Sequence, residues 1–179
     1  MYNDGILTVI AFAAIFAENI LHMSDRDIII FFAIVQTSAI IGSFFFGIIT
    51  DKIGPKKTII ITLIIWIAIS AGSYFVTTVG AFYVVAMGAG VAIGSSQSAS
   101  RSFMALLTPP EREAEFFGFY DGLCGKASAV IGPFVFGLIS DFTNERIAAL
   151  SISVFFIAGL IIIQKVKEPE VRRIPNAQV

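Results

Sequence analysis

Charge is scarce in this sequence. Only 14% of its 179 residues are Asp, Glu, Lys or Arg, against roughly 25% in an ordinary soluble domain. That shortage excludes a conventional water-facing surface. Histidine and cysteine occur once each, as His22 and Cys124. A clustered metal site needs several such ligands, so none is expected. A single cysteine excludes an internal disulfide, and Cys124 stands in an apolar run where a thiol behaves as a small buried hydrophobe. No phosphate-binding Gly-x-x-x-x-Gly-Lys-Ser/Thr run appears, which excludes a nucleotide-driven pump by itself. No basic-aromatic patch suggests nucleic acid. No Asn-x-Ser/Thr acceptor occurs, and Met1-Tyr2-Asn3-Asp4 lacks the basic start of a cleavable signal. Paired aspartates, Ser–His and multi-His constellations are missing too, so neither an enzyme nor a cofactor is expected.

What the chain has is apolar length. Apolar residues make up 56% of it, and mean hydropathy is +0.87. A spanning helix needs about 20 apolar residues at ~1.5 Å of rise each, so six fit with short loops and no soluble domain. The expected fold is all-α and polytopic. A transmembrane domain covers 1–164, with spans near 5–23, 27–49, 58–77, 79–100, 115–139 and 146–164, and 165–179 forms a polar cytoplasmic tail. Val, Ile and Phe dominate these runs and would suggest strands in water. Their length argues for helices, because a lipid-facing backbone must satisfy its own hydrogen bonds. Thr77-Thr78 and Gly80 predict a tight helical hairpin between the third and fourth spans.

Basic residues set the orientation. Lys52, Lys56, Lys57, Arg101, Arg112, Lys165, Lys167, Arg172 and Arg173 fall on one side, and only Arg26 and Arg146 on the other. The positive-inside rule then places both termini in the cytoplasm. An internal echo adds a repeat: Phe46-Gly47-Ile48-Ile49-Thr50-Asp51 closes the second span and Phe136-Gly137-Leu138-Ile139-Ser140-Asp141 the fifth. The first copy ends inside and the second outside, which describes two inverted three-helix repeats.

The segment Gly47-Ile48-Ile49-Thr50-Asp51-Lys52-Ile53-Gly54-Pro55-Lys56-Lys57 resembles the loop motif of the major facilitator superfamily, matching Gly47, Asp51, Lys52, Gly54, Lys56 and Lys57. The resemblance implies that Asp51 braces a neighbouring helix end and a basic partner, holding one access state. A wider resemblance, to vacuole-effluxer-like permeases related to the fungal autophagy permease, is carried by three stretches. These are Tyr2-Asn3-Asp4-Gly5, Gln97-Ser98-Ala99-Ser100-Arg101-Ser102, and the run from Glu115 to Tyr120 with Gly125 to Pro133. It covers nearly the whole chain but only the C-terminal six-helix half of that family. It implies transport of a small polar solute, with amino-acid efflux as the class, and a second six-helix half. That half is a second copy or a separately encoded N-terminal half. The membrane expected is the cell membrane in a bacterium or the vacuolar membrane in a fungus.

Polar residues inside the spans fall on stripes at helical spacing. Gly90, Gly94, Gln97 and Arg101 share one face, as do Gln36, Ser43 and Gly47, and Asp121, Gly125, Ser128 and Gly132. Gly90, Gly94, Gly118, Gly122 and Gly132 read as close-packing positions, and Pro133 as a kink. A charge at mid-membrane costs at least ~2.5–3.5 kcal/mol, so it faces a partner or a wet cavity. Gln36, Gln97, Arg101, Asp121 and Lys126 are therefore the expected pathway residues, with Arg101 as a partner for Asp121. Asp121 and Glu18 are candidate coupling carboxylates, although an ion pair that only holds the bundle and a Glu18 that snorkels to water stand as alternatives. At the level of the whole chain, the rivals to a half-transporter are a non-transporting scaffold, a truncated remnant, or a six-helix channel or intramembrane enzyme.

Overall fold

The structure, a computed structural model, describes residues 2–167, apart from the side chains of Pro110, Asp121, Leu123, Cys124 and Ala127. The long apolar runs are helices, as their length requires. They are α1 (Tyr2–Asn19), α2 (Asp25–Ile53), α3 (Pro55–Tyr74) and α4 (Val79–Leu107). A 3₁₀ turn at Pro110–Arg112 leads into α5 (Glu113–Gly118), which continues through a π-helical turn at Phe119–Cys124 into α6 (Gly125–Phe142). The last apolar run is α7 (Glu145–Ser151) and α8 (Ser153–Lys165), offset at Ile152. No strand occurs among the described residues. Four stretches are long and apolar enough to cross a membrane: Asp25–Ile53, Pro55–Tyr74, Val79–Leu107 and Glu145–Lys165. α1 carries Asp4 and Glu18 near its two ends, and the apolar part of the fifth run is the shorter Ser128–Phe142. Most of the tail expected over 165–179 lies outside the described residues.

Helix ends follow local chemistry. Ser24, Thr78 and Asn144 each accept a backbone N–H three residues on, from Asp27, Ala81 and Ile147, satisfying donors that a first turn leaves free. Gly54 joins α2 to α3 at a φ of 91°, a conformation that a Cβ resists, and Pro55 then occupies the first position of α3. The turn between α3 and α4 differs from expectation. It is Phe75–Thr78, closed by the Thr78 cap, whereas Gly80 already sits in the first turn of α4 at ordinary helical geometry.

α4 packs on both α2 and α3, α1 packs on α6, and α3 packs on α8. Glycine makes the α2–α4 and α1–α6 contacts. A Cβ on Gly42 would strike the backbone of Val91, one on Gly90 that of Val35, and one on Gly94 that of Ala39. On the other pair, Gly132 abuts Thr8 and the backbone of Asp4. The packing reading therefore holds for Gly90, Gly94 and Gly132. It fails for Gly118 and Gly122, which have open space beside them at the π-helical turn. Elsewhere the core is aromatic: Trp66 stacks on Phe156 at 5.1 Å, Phe12 on Phe136 at 4.0 Å and Phe31 on Phe82 at 4.6 Å.

The echo is longer than the six residues first read. Residues 38–51 (SAIIGSFFFGIITD) and 128–141 (SAVIGPFVFGLISD) agree at nine of fourteen positions, offset by 90. Gly42 and Gly132 correspond, and each presses on a partner-helix backbone. Phe44 and Phe134 correspond and are 68% and 70% exposed, and Ile40 and Val130 correspond at 64% and 67%. The two helices thus present the same outward stripe. Exchanging the repeats turns the α2–α4 contact into the α1–α6 contact.

Hydrogen bonds across helices define two ends of the bundle. At one, Tyr2 pairs with Ser100, and Lys56 reaches the last carbonyls of α8. At the other, Asn19 donates to Glu145, Arg146 to the Tyr74 carbonyl and Tyr83 to the Asp27 carbonyl. The first copy of the echo closes at the former end and the second at the latter. Gly94→Ala is expected to destabilise by ~1–3 kcal/mol as an overpacked contact. Gly47→Ala, with nothing within 4 Å, should be neutral or gain up to ~1 kcal/mol of helix propensity. Chemical unfolding of both variants in detergent checks this.

Candidate functional site

The α2–α4 contact opens on one side into a polar cavity of about 420 Å³. Gln36 and Ser43 line it from α2, and Gln97, Ser98 and Arg101 from α4, with Ile10 of α1 and Phe32, Val35 and Ile93 as apolar wall. Gln97 and Arg101 are one turn apart, so both project from the face whose glycines meet α2. Ser43 returns its hydroxyl to the Ile40 carbonyl. The side chains of Gln36, Gln97 and Arg101 are exposed, and no hydrogen bond or ion pair ties them to the described residues. The cavity therefore offers two amides, which donate and accept, and one permanent guanidinium with five N–H donors. That set suits a small polar solute bearing an anionic group.

Three of the five expected pathway residues meet here. Lys126 does not join them: it is exposed on α6 and outside this wall. The 90-residue offset makes Lys126 the counterpart of Gln36, so it occupies the matching face of the other repeat. The side chain of Asp121 lies outside the described residues, and with it the expected Arg101–Asp121 pair. Glu18 is exposed near the end of α1, away from the cavity. Ser98 was missed, although it stands one turn beyond Gly94 on the same helix. It follows Gln97 directly and was hidden by the choice of a single stripe.

The loop motif divides its labour in an unexpected way. Lys56 donates to the carbonyls of Val166 at 2.6 Å and Gln164 at 3.3 Å, capping the end of α8. An ammonium is favoured there by free carbonyls and the negative end of the helix dipole. Among the described residues, the motif side chain that reaches a helix end is Lys56. Asp51 lies in the last turn of α2, where the dipole disfavours a carboxylate, and it is exposed with no partner among the described residues. Lys52 and Lys57 are exposed as well.

Comparison with known proteins decides the family. The model for vacuole effluxers described as Atg22-like matches residues 1–173. The chain belongs to the Atg22-like vacuole effluxer family. The chain is 27% identical over 168 residues to the uncharacterized MFS-type transporter YxiO of Bacillus subtilis, covering 93% of this chain and 39% of that one. It is 28% identical over 171 residues to autophagy-related protein 22 of Eremothecium gossypii, covering 88% and 33%. The chain therefore spans between a third and two fifths of the length of these two relatives. The inward-open structure of the xylose transporter XylE from E. coli aligns with a TM-score of 0.69 over 93% of this chain and 44% of that one, at 14% identity. That likeness gives this member of the family a major-facilitator fold.

Lys56→Gln should lower stability by ~0.5–2 kcal/mol through loss of the α8 cap. Lys57→Gln, on the exposed neighbour, should leave it within ~0.5 kcal/mol. Paired chemical unfolding curves measure the difference.

Proposed function

We propose that this integral membrane chain is one six-span half of a major-facilitator secondary transporter that moves a small polar solute by alternating access. The observation that carries the reading is the α2–α4 cavity, where Gln36, Gln97 and Arg101 have no partner among the described residues. In lipid an unpaired guanidinium is costly, so this face requires water, solute or protein against it. A second half supplies the opposing wall, either as a second copy or as a separately encoded N-terminal half. The two inverted repeats make the six spans, with the Lys56 end and both termini in the cytoplasm. The membrane is the cell membrane in a bacterium and the vacuolar membrane in a fungus.

In this arrangement Arg101 takes the anionic group of the solute as a paired hydrogen bond. Gln36 and Gln97 take its remaining polar groups, and an amino acid leaving a compartment fits both the donor set and the family's description as effluxers. Lys126 and Asp121 belong to the same pathway from the other repeat, with Asp121 and Glu18 as the carboxylates available for coupling. Asp51, disfavoured at its own helix end, finds its helix-end partner on the second half and holds one access state.

The test is reconstitution of the purified chain with crosslinking from cysteines at Gln36 and Gln97, alongside amino-acid flux. Crosslinked pairs with saturable flux are expected. Arg101→Gln should weaken apparent affinity roughly ten- to a hundredfold, the loss of a charge-assisted bond of about 1.5–3 kcal/mol. A monomer whose flux rises linearly with its density contradicts the second half. Crosslinked pairs without flux, also when an N-terminal half is supplied, contradict transport and leave a scaffold or remnant.

A further inference from the structure

A second cavity, of about 100 Å³, lies behind the polar one among α1, α2, α3, α4, α6 and α7. Its wall is almost wholly apolar and strongly aromatic, with Phe12, Phe16, Phe31, Phe32, Phe82 and Phe136 facing it. Apolar cavities on the order of 150 Å³ stay dry and accept benzene, so this one has the size and character for a single ring.

Two serines of α3, Ser70 and Ser73, break the pattern, and only Ser73 is hydrogen-bonded. Ser70 of α3 lines the cavity, is only 3% exposed, and its hydroxyl has no hydrogen-bond partner. This is unusual within the chain. Other buried hydroxyls, including those of Thr8, Thr58, Thr62, Ser95 and Ser96, return to a carbonyl of their own helix. Among the described residues Ser70 is the one buried hydroxyl group left unpaired. Its neighbour Ser73 donates to the Ser70 carbonyl, so that group is already engaged. A buried polar group without a partner is costly, and a dry aromatic wall offers it none.

We propose that this cavity is a binding site for a small aromatic molecule bearing one hydroxyl group, its ring among the six phenylalanines and its hydroxyl on Ser70. Phenol is the simplest member of the class. The ring gains offset and edge contacts with the aromatic wall, and the hydroxyl completes Ser70. Ile10, Phe32, Val35 and Ile93 line both this cavity and the polar one. A guest therefore braces the wall shared by α1, α2 and α4, which makes the site a modulator pocket behind the polar cavity. The binding itself is independent of what the polar cavity carries.

The experiment is thermal unfolding of the detergent-purified chain, followed through Trp66, the only tryptophan. Phenol and its hydroxyl-free counterpart toluene are titrated, and affinities come from the dependence of the midpoint on concentration. Phenol should bind roughly 2–10-fold tighter than toluene, the worth of one net hydrogen bond. Ser70→Ala should erase that preference while keeping toluene binding. Ala86→Leu, which fills the cavity from α4, should abolish both midpoint shifts, and Val85→Phe serves if that variant does not fold. Equal affinities for phenol and toluene in the unaltered chain overturn the proposal. So do shifts that persist in the filled variant, because they would report partition into the detergent.

Discussion

The fold and the candidate site both depend on the bare backbone contact between α2 and α4. Lipid tails are as apolar as leucine, so helices in a membrane gain little by burying leucine against one another. What holds them is close fit. Gly42, Gly90 and Gly94 remove the side chains that would keep the axes apart, and the backbones of Val91, Val35 and Ala39 fill the space. The same approach brings Gln36 and Ser43 beside Gln97, Ser98 and Arg101. Cavity and contact are two faces of one crossing. A Cβ at Gly94 would act on the site directly, because it would strike the backbone of Ala39 and Ser43, which line the cavity.

That crossing occurs twice. Gly132 on α6 rests on Asp4 and Thr8 of α1 as Gly42 rests on Val91. The fourteen-residue echo places the outward side chains alike on both helices, as the near-equal exposures of Phe44 and Phe134 show. The scaffold is symmetric where it meets lipid and its partner helix, and it departs from symmetry where chemistry begins. Gln36 is matched by Lys126, and Ser43 by Pro133. One repeat thus presents an amide and a hydroxyl at positions where the other has an ammonium and a helix-interior proline.

Much of this was legible in the sequence, for identifiable reasons. Run length and lipid's demand for internal hydrogen bonding give helices despite the Val, Ile and Phe content. The i, i+4, i+7 spacing groups Gly94, Gln97 and Arg101 on one face. Periodicity names a face but not the neighbour it meets. Gly118 and Gly122 share the spacing of packing glycines yet stand in open space, because a π-helical turn shifts the register of that helix. Gly80 suggested a turn that the Thr78 cap makes instead. Lys56 and Asp51 are both polar loop residues in the sequence. Only the structure shows that the end of α8 lies beside Lys56.

The distribution of hydroxyls completes the physical picture. A membrane bundle can carry serine and threonine at little cost when each hydroxyl returns to a carbonyl one turn back, as Thr50, Thr58, Ser96 and Thr108 do. Such groups satisfy themselves within one helix and place no hydrogen bond across an interface. Between the ends of the bundle, helices so built are held chiefly by shape. The crossing hydrogen bonds among the described residues, Tyr2 with Ser100, Asn19 to Glu145, Arg146 to Tyr74, Tyr83 to Asp27 and Lys56 to α8, gather at those two ends. Between those ends, polar groups left unsatisfied stand out against a self-satisfied background. Gln36, Gln97 and Arg101 face one cavity and Ser70 the other, Trp66 Nε1 is buried in the core, and none of the five has a partner among the described residues.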